Sequence, residues 1–301
     1  MKKILFAATA MMAAALCGTS AYAQRDFSKV EIKTTQLAPG FYTLDGDGGT
    51  IGVLAGADGV LMVDSQFAPL SEKIIAAIKN ISDGRIRILI DTHLHGDHTG
   101  GNANIAKQGA LIMARPNLRA RLAKQGIQSG GMPMVPATPE ALPVITYDAP
   151  TSIYLNGEEV RLIPVPAAHT DGDTMVFFTK ANVLMTGDFY RSLGYPNIDR
   201  ANGGSAAGML AGFDAVIKLA AADTKIVPGH GAVVDKAAVA AHRDIMLAVR
   251  DRVAALIQQG KTQEEAVAAK PTADFDAKVP GAAASADRFV MQIYQELKAA
   301  K

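Results

Sequence analysis

Ile86-Arg87-Ile88-Leu89-Ile90-Asp91-Thr92-His93-Leu94-His95-Gly96-Asp97-His98 is the stretch on which the fold turns. Its first five residues are apolar apart from Arg87, three of them β-branched isoleucines, as suits a buried strand. That strand delivers the chain into four potential metal ligands within six residues: His93, His95, Asp97 and His98. With six histidines in 301 residues, a chance match to this spacing has odds on the order of one in ten thousand. His93 and His95, two apart on an extended segment, project to the same side and can share one metal. Asp97 and His98 lie past the turn at Gly96 and can face a second.

Upstream, short apolar runs at Val30 to Leu37, Phe41 to Leu44, Thr50 to Ala55 and Val60 to Val63 are separated by turn residues. Pro39-Gly40, Asp45-Gly46-Asp47-Gly48-Gly49 and Ala57-Asp58-Gly59 punctuate them, the pattern of an antiparallel meander. Apolar residues at 74, 75 and 78 predict a helix over Ser71 to Ile81, ended by Asp83-Gly84. Downstream, strands at Ser152 to Leu155 and Val160 to Val165 precede His169, and strands at Thr174 to Phe178 and Val183 to Met185 precede Asp188. A helix over Ala206 to Ala222 leads to the short strand Ile226-Val227, which ends in Pro228-Gly229-His230. Each potential ligand thus follows a strand end, where a rigid scaffold can hold a loop residue in place.

Three helices are predicted to close the chain: Lys236 to Gln259, a second from Thr262, where Thr262 and Glu265 form a capping box, and Ser285 to Ala299. Gly126 to Pro143, rich in Gly, Pro and Met and without a period, is either a flap over the site or a long connection. A histidine standing alone is more often a packing residue than a ligand. His242, in a helical stretch with no motif around it, keeps that assignment. For His169 and His230 the order and context of all the motifs together reverse it.

Residues 1–23 have a basic start at Lys2-Lys3, an apolar run from Ile4 to Leu16 and the triplet Ala21-Tyr22-Ala23, the three parts of a secretory signal peptide. The run falls short of the ~20 residues of a spanning helix. A lipoprotein alternative would modify Cys17, but the bulky Leu16 stands before it where a small residue is expected. Cys17 is the sole cysteine, so a mature chain has neither disulfide nor thiolate ligand. Loss of Lys2 and Lys3 changes 30 basic against 29 acidic residues to 28 against 29. A charge so near neutral offers no basic field for nucleic acid, and no membrane partner is expected after cleavage. The protein is expected in the periplasm or secreted.

Asp64, His93-x-His95-x-Asp97-His98, His169, Asp188 and His230 stand in the order and contexts of the metallo-β-lactamase superfamily, which the chain resembles from about residue 30 to 245. The resemblance implies an α/β fold, the αββα sandwich: two mixed sheets face to face, helices outside, metals at one edge. It implies a hydrolase domain over residues 24–245, with residues 246–301 a C-terminal helical extension. It also implies two zinc ions per chain, His93, His95 and His169 holding the first, Asp97, His98 and His230 the second, and Asp188 bridging them. Asp64 would support the histidine loop from outside the ligand set. The turn Gly46 to Gly49 and the segment from Pro228 to Lys236 resemble the periplasmic di-zinc β-lactamases. Those enzymes often carry Cys where Asp188 stands, whereas glyoxalase-II, lactonase and related hydrolases carry a bridging Asp, so β-lactamase activity is expected to be modest.

Two zinc ions sharing a water would lower its pKa from ~15.7 to near 7, giving a hydroxide that attacks a lactam, lactone, ester or thioester carbonyl. Asp97 would relay the proton to the leaving group. Arg191, three residues after Asp188, matches the place where the resembling β-lactamases put a cation for the carboxylate of an anionic small-molecule substrate. Its alternatives are a solvated arginine or one paired with Asp199. Tyr190, Asn197 and Asn202 share the loop and are further pocket candidates. Two rival functions stand beside hydrolysis. One is a mononuclear iron oxidoreductase, because similar superfamily members oxidise persulfides with one iron held by two His and one Asp. The other is a non-catalytic zinc-binding periplasmic protein with closed coordination.

Overall fold

The computed structural model describes residues 25–127 and 134–299; the 1–23 segment and residues 128–133 of the Gly126 to Pro143 stretch lie outside the described residues. The meander forms as β1 (Lys33–Ala38), β2 (Phe41–Asp45), β3 (Ile51–Gly56) and β4 (Gly59–Val63), each antiparallel to the next. Helix α1 (Ser71–Ile81) crosses back, so β5 (Ile86–Ile90) joins parallel to β4. After α2 (Gly96–Thr99) and α3 (Asn102–Ala106), β6 (Leu111–Ala114), α4 (Pro116–Gln125) and β7 (Ile145–Thr146) complete a seven-stranded mixed sheet in the order β1 to β7.

The second sheet contains β8 (Thr151–Leu155), β9 (Glu158–Pro164), β10 (Thr174–Phe178), β11 (Val183–Gly187) and β12 (Lys225–Pro228). Its order is β12-β11-β10-β9-β8, with β12 parallel to β11 across the α5 (Ala206–Leu219) crossover and the rest antiparallel. Helices α6 (Lys236–Gln258), α7 (Gln263–Ala268) and α8 (Ala286–Ala299) follow.

Side chains alternate across each strand, and the alternation sorts the core into layers. In β4, Leu61 and Val63 face the second sheet, while Val60 and Met62 face the layer containing Ile74 and Ile78 of α1. In β11, Val183 and Met185 face the first sheet, while Leu184 packs with Phe213 of α5, Val249 of α6 and Phe289 of α8. Helix, sheet, sheet, helix is therefore the order through the molecule, the expected αββα sandwich. Fully burying each such Leu, Ile or Phe contributes about 1.5–3 kcal/mol. No described helix is long and apolar enough to cross a membrane.

Three features depart from the sequence pattern. Leu111–Ala114 and Pro116–Gln125 form a strand and a helix in a stretch that the sequence patterns leave unassigned; four apolar residues and a proline at the first helical turn are short signals. The boundary expected after residue 245 falls inside α6, whose buried residues Val239, Met246, Val249 and Val253 run unbroken across it. The C-terminal helices thus share one core with β10, β11 and β12. Flanking the undescribed residues, Ile127 and Val135 pair as an antiparallel bridge.

His242 is a packing residue, with its ring centroid 5.5 Å from Tyr190 and 5.9 Å from Phe213. Its Nε2 is buried without a partner, and burial pushes its pKa down to about 4. The unfolded chain takes up this proton near pH 6.5 and the folded chain only near 4, so stability falls as pH drops through that window, by up to about 3 kcal/mol. A His242→Leu variant should lose this component, and denaturant titrations at pH 7 and pH 4.5 would show it as a smaller acid-induced loss than in the wild type.

Candidate metal centre

The site is built at the ends of strands. Asp64 follows β4 with φ of 62°, a left-handed conformation that costs a non-glycine residue on the order of 1–3 kcal/mol and recurs where function requires it. It is 1% exposed, and its carboxylate organises the histidine loop after β5. Oδ1 accepts from Thr92 N at 2.8 Å, and Oδ2 accepts from Thr92 Oγ1 at 2.8 Å and from His98 Nδ1 at 2.7 Å. Thr92 Oγ1, its own proton given to Asp64, is left to accept from His93 Nδ1 at 3.1 Å.

Two further imidazoles are fixed in the same manner. His169 Nδ1 lies 2.6 Å from the Asn197 carbonyl, and His95 Nε2 lies 2.8 Å from Asp199 Oδ2. With tautomers assigned from these partners, all four rings keep one lone pair for the centre: Nε2 of His93, His98 and His169, and Nδ1 of His95. His95 Nδ1 and His169 Nε2 are 2.9 Å apart, so two lone pairs oppose each other unless a cation lies between them. Outer acceptors of this kind fix the tautomer and raise the basicity of a ligand.

Three donor groups form, each with its ligand atoms within 4.8 Å of one another: His93, His95 and His169; His93, His98 and Asp188; Asp97, His98 and His230. Asp188, after β11, has Oδ1 3.3 Å from both His98 Nε2 and His230 Nε2, and Oδ2 3.9 Å from His169 Nε2. Asp97 Oδ2 lies 3.1 Å from His230 Nε2 and 3.7 Å from His98 Nε2. His93 Nε2, His98 Nε2 and Asp188 Oδ1 are buried with no hydrogen-bond partner. Such orphans are costly in a protein interior. Nitrogen and carboxylate donors in two adjoining sets fit two divalent cations.

Charge around the centre points the same way. Burial and the neighbouring imidazoles push the His93 pKa well down, and burial with the nearby His95 brings His169 to about 4. Both stay neutral, as ligands must. Burial opposes charge on His230, yet Asp188 and Asp97 prevail and raise it to about 9. Burial likewise opposes charge on His98, and Asp64, Asp97 and Asp188 raise it well above its usual value. The carboxylate side of the cluster thus calls for positive charge.

Two glycines permit the close packing. A Cβ on Gly49 would overlap the His98 ring, and one on Gly229 would overlap Asp188 Oδ1. Gly49 N donates to Asp97 O at 3.0 Å and Thr50 N to Gly229 O at 2.9 Å, tying the meander to the far side of the centre.

The centre opens into a pocket of about 480 Å³ whose lining includes Gly46 to Gly48, Asp97, Asp188, Arg191, Asn197 and His230. All seven expected ligands, Asp64 and Arg191 come together here. Asn202 does not line this pocket: its amide donates to Asp199 at 2.6 Å, and its oxygen accepts from Gln125 at 2.8 Å and Arg121 at 3.2 Å. Tyr190 is buried against Phe213. Asp199 pairs with His95 rather than with Arg191. The sequence patterns marked Asp199 only as a partner for Arg191, and did not mark Thr92 or Asp173, whose buried carboxylate accepts from His169 N at 2.7 Å. Asp171, two residues before Asp173, instead pairs with Arg121.

Such a sandwich with seven His and Asp donors at its edge defines a class of metalloprotein, and comparison supplies the family. The model of the metallo-beta-lactamase superfamily matches residues 44–230, and the chain belongs to that superfamily. It is 28% identical over 170 residues to a hydroxyacylglutathione hydrolase of Polaromonas sp., covering 54% of this chain and 55% of that protein. A hydroxyacylglutathione hydrolase of Nitrosococcus oceani gives 28% over 164 residues with the same coverage. The chain thus spans about half the length of these curated relatives. Among solved structures, a sec-alkylsulfatase from Pseudomonas sp. superposes with a TM-score of 0.68 at 15% identity, covering 88% of this chain and 50% of that one. A metallo-beta-lactamase from Pontibacter korlensis gives 0.61 at 14% identity, covering 72% and 99%. These likenesses show the fold.

Proposed function

We propose that the protein is a two-zinc hydrolase of activated carboxyl derivatives, exported by its first 23 residues to act in the periplasm. The convergence of four tautomer-locked imidazoles and two carboxylates on one pocket carries this reading. The hydroxyacylglutathione hydrolases, named for cleaving a hydroxyacyl derivative of glutathione, support it. His93, His95 and His169 would hold one ion, Asp97, His98 and His230 the other, with Asp188 between them. Ions held there lower the pKa of water towards neutrality and polarise a carbonyl oxygen.

The protein's own groups do the rest. Asp97 is a quarter exposed in the pocket and turns Oδ2 to His230, which leaves Oδ1 to take a proton from attacking water and pass it to the leaving group. Asp64, Asp199 and the Asn197 carbonyl keep the rings from turning during turnover. Arg191 offers its guanidinium to an anionic group on the substrate.

A panel of lactam, lactone, ester and thioester substrates, each anionic and neutral, tests this. Hydrolysis of at least one anionic member is expected, with slow β-lactam turnover. Arg191→Ala should lower kcat/KM on anionic members by roughly tenfold or more and by less on neutral ones. Absence of hydrolysis across the panel, or equal losses on both kinds, would contradict the proposal.

A further inference from the structure

Helix α8 and the residue before it present a stripe at spacings of three and four: Ser285, Arg288, Gln292 and Glu296. Three of these grip the segment that follows Arg191. Ser285 Oγ accepts from Tyr195 N at 2.8 Å, and Gln292 accepts from Ile198 N at 3.0 Å and donates to Asn197 Oδ1 at 2.9 Å. Glu296 accepts from Ala206 N at 2.6 Å. Arg288 lies between Ser285 and Gln292 on that stripe, so it faces the same segment.

Arg288 and Arg191 are both half-buried, and each has a buried Nε with no partner. Among the described residues neither makes an ion pair or a side-chain hydrogen bond. Other half-buried arginines are supplied: Arg121 with Asp171 at 2.6 Å, and Arg115 with Asp148 at 2.7 Å and the Val165 carbonyl at 2.8 Å. Ser285 and Gln292, which flank Arg288 on that stripe, hold Tyr195 and Asn197 in the loop that carries Arg191, and Asn197 lines the metal pocket beside Arg191; burial and the charge of Arg191 lower the Arg288 pKa accordingly. Two neighbouring guanidiniums without acceptors repel each other and leave donors unmet, and an oxyanion relieves both costs.

We infer that Arg191 and Arg288 form a paired-guanidinium site beside the metal pocket that binds a doubly charged oxyanion, of sulfate or phosphate type, on the substrate's non-reacting end. The inference rests on the two-metal reading only for the word substrate; the anion site itself does not depend on it. It gives α8 a share in substrate choice as well as in the core.

Calorimetric titration of the metal-loaded protein with sulfate, phosphate and acetate tests it, beside Arg288→Gln, Arg288→Lys and Arg191→Gln variants of measured metal content. Sulfate and phosphate should bind more tightly than acetate. Arg288→Gln and Arg191→Gln should each weaken sulfate binding on the order of tenfold or more. Arg288→Lys should recover part of the loss, because it keeps the charge without the fork. Wild-type sulfate affinity in Arg288→Gln, or acetate binding as tight as sulfate, would overturn the inference and leave hydrolysis untouched. An Arg288-dependent sulfate site in a protein that cleaves no member of the substrate panel would leave the inference standing and remove the hydrolase reading.

Discussion

Replacing Asp188 by alanine should reduce bound metal from two equivalents to one or fewer per chain and lower hydrolysis by more than the ~10–100-fold that the outer partners of metal ligands are worth. Asp188 faces both halves of the centre, with Oδ1 3.3 Å from His98 Nε2 and His230 Nε2 and Oδ2 turned to His169. It would screen two cations from each other, and no other carboxylate stands in both positions among the described residues. Asp188→Asn, which keeps the volume and loses the charge, should give the same metal loss and so separates the charge from packing. His242→Ala should keep both metals, since its ring meets Tyr190 and Phe213 rather than the centre. Metal analysis after exhaustive dialysis measures this, and equal metal loss in the Asp188 and His242 variants would contradict the assignment.

Asp64→Asn should weaken metal affinity by about 10–100-fold and lower Tm, although the residue lies outside the ligand set. The carboxylate accepts from Thr92 N, Thr92 Oγ1 and His98 Nδ1; an amide supplies one acceptor oxygen, and its NH2 faces a donor. The left-handed backbone at residue 64 tolerates Asn, so this substitution removes the carboxylate's charge and one of its acceptors without adding backbone strain. Asp64→Ala adds backbone strain and strands the buried His98 donor, and should cost on the order of 3 kcal/mol. Chelator competition with thermal melts reads both quantities, and a wild-type metal affinity in Asp64→Asn would contradict the role.

Much of this arrangement is legible in the sequence because its determinants are local. The β1 to β4 meander is announced by turn residues, β5 by its β-branched run, and the centre by His93 to His98, where four ligands crowd six positions. His169 and His230, which stand alone, gain meaning only from motif order. What escaped is what depends on distant pairing. Asp199 is an ordinary loop aspartate until the fold lays it 2.8 Å from His95 Nε2. Asp173 and Asp171, two residues apart, take different partners that neither local pattern nor composition distinguishes. Asn202, in the same loop as Arg191, is drawn away by Asp199 and Gln125. Family motifs end near His230, and they carry no sign that the apolar face of α6 continues past residue 245 into a shared core.

Two divalent cations are expected to share the edge of this sandwich. Metal content of the natively expressed protein, read by elemental mass spectrometry together with hydrolysis before and after chelation, tests it most directly. Close to two zinc equivalents per chain are expected, with activity lost to the chelator and restored by zinc. A single bound iron, or hydrolysis that persists in fully metal-free protein, would contradict it.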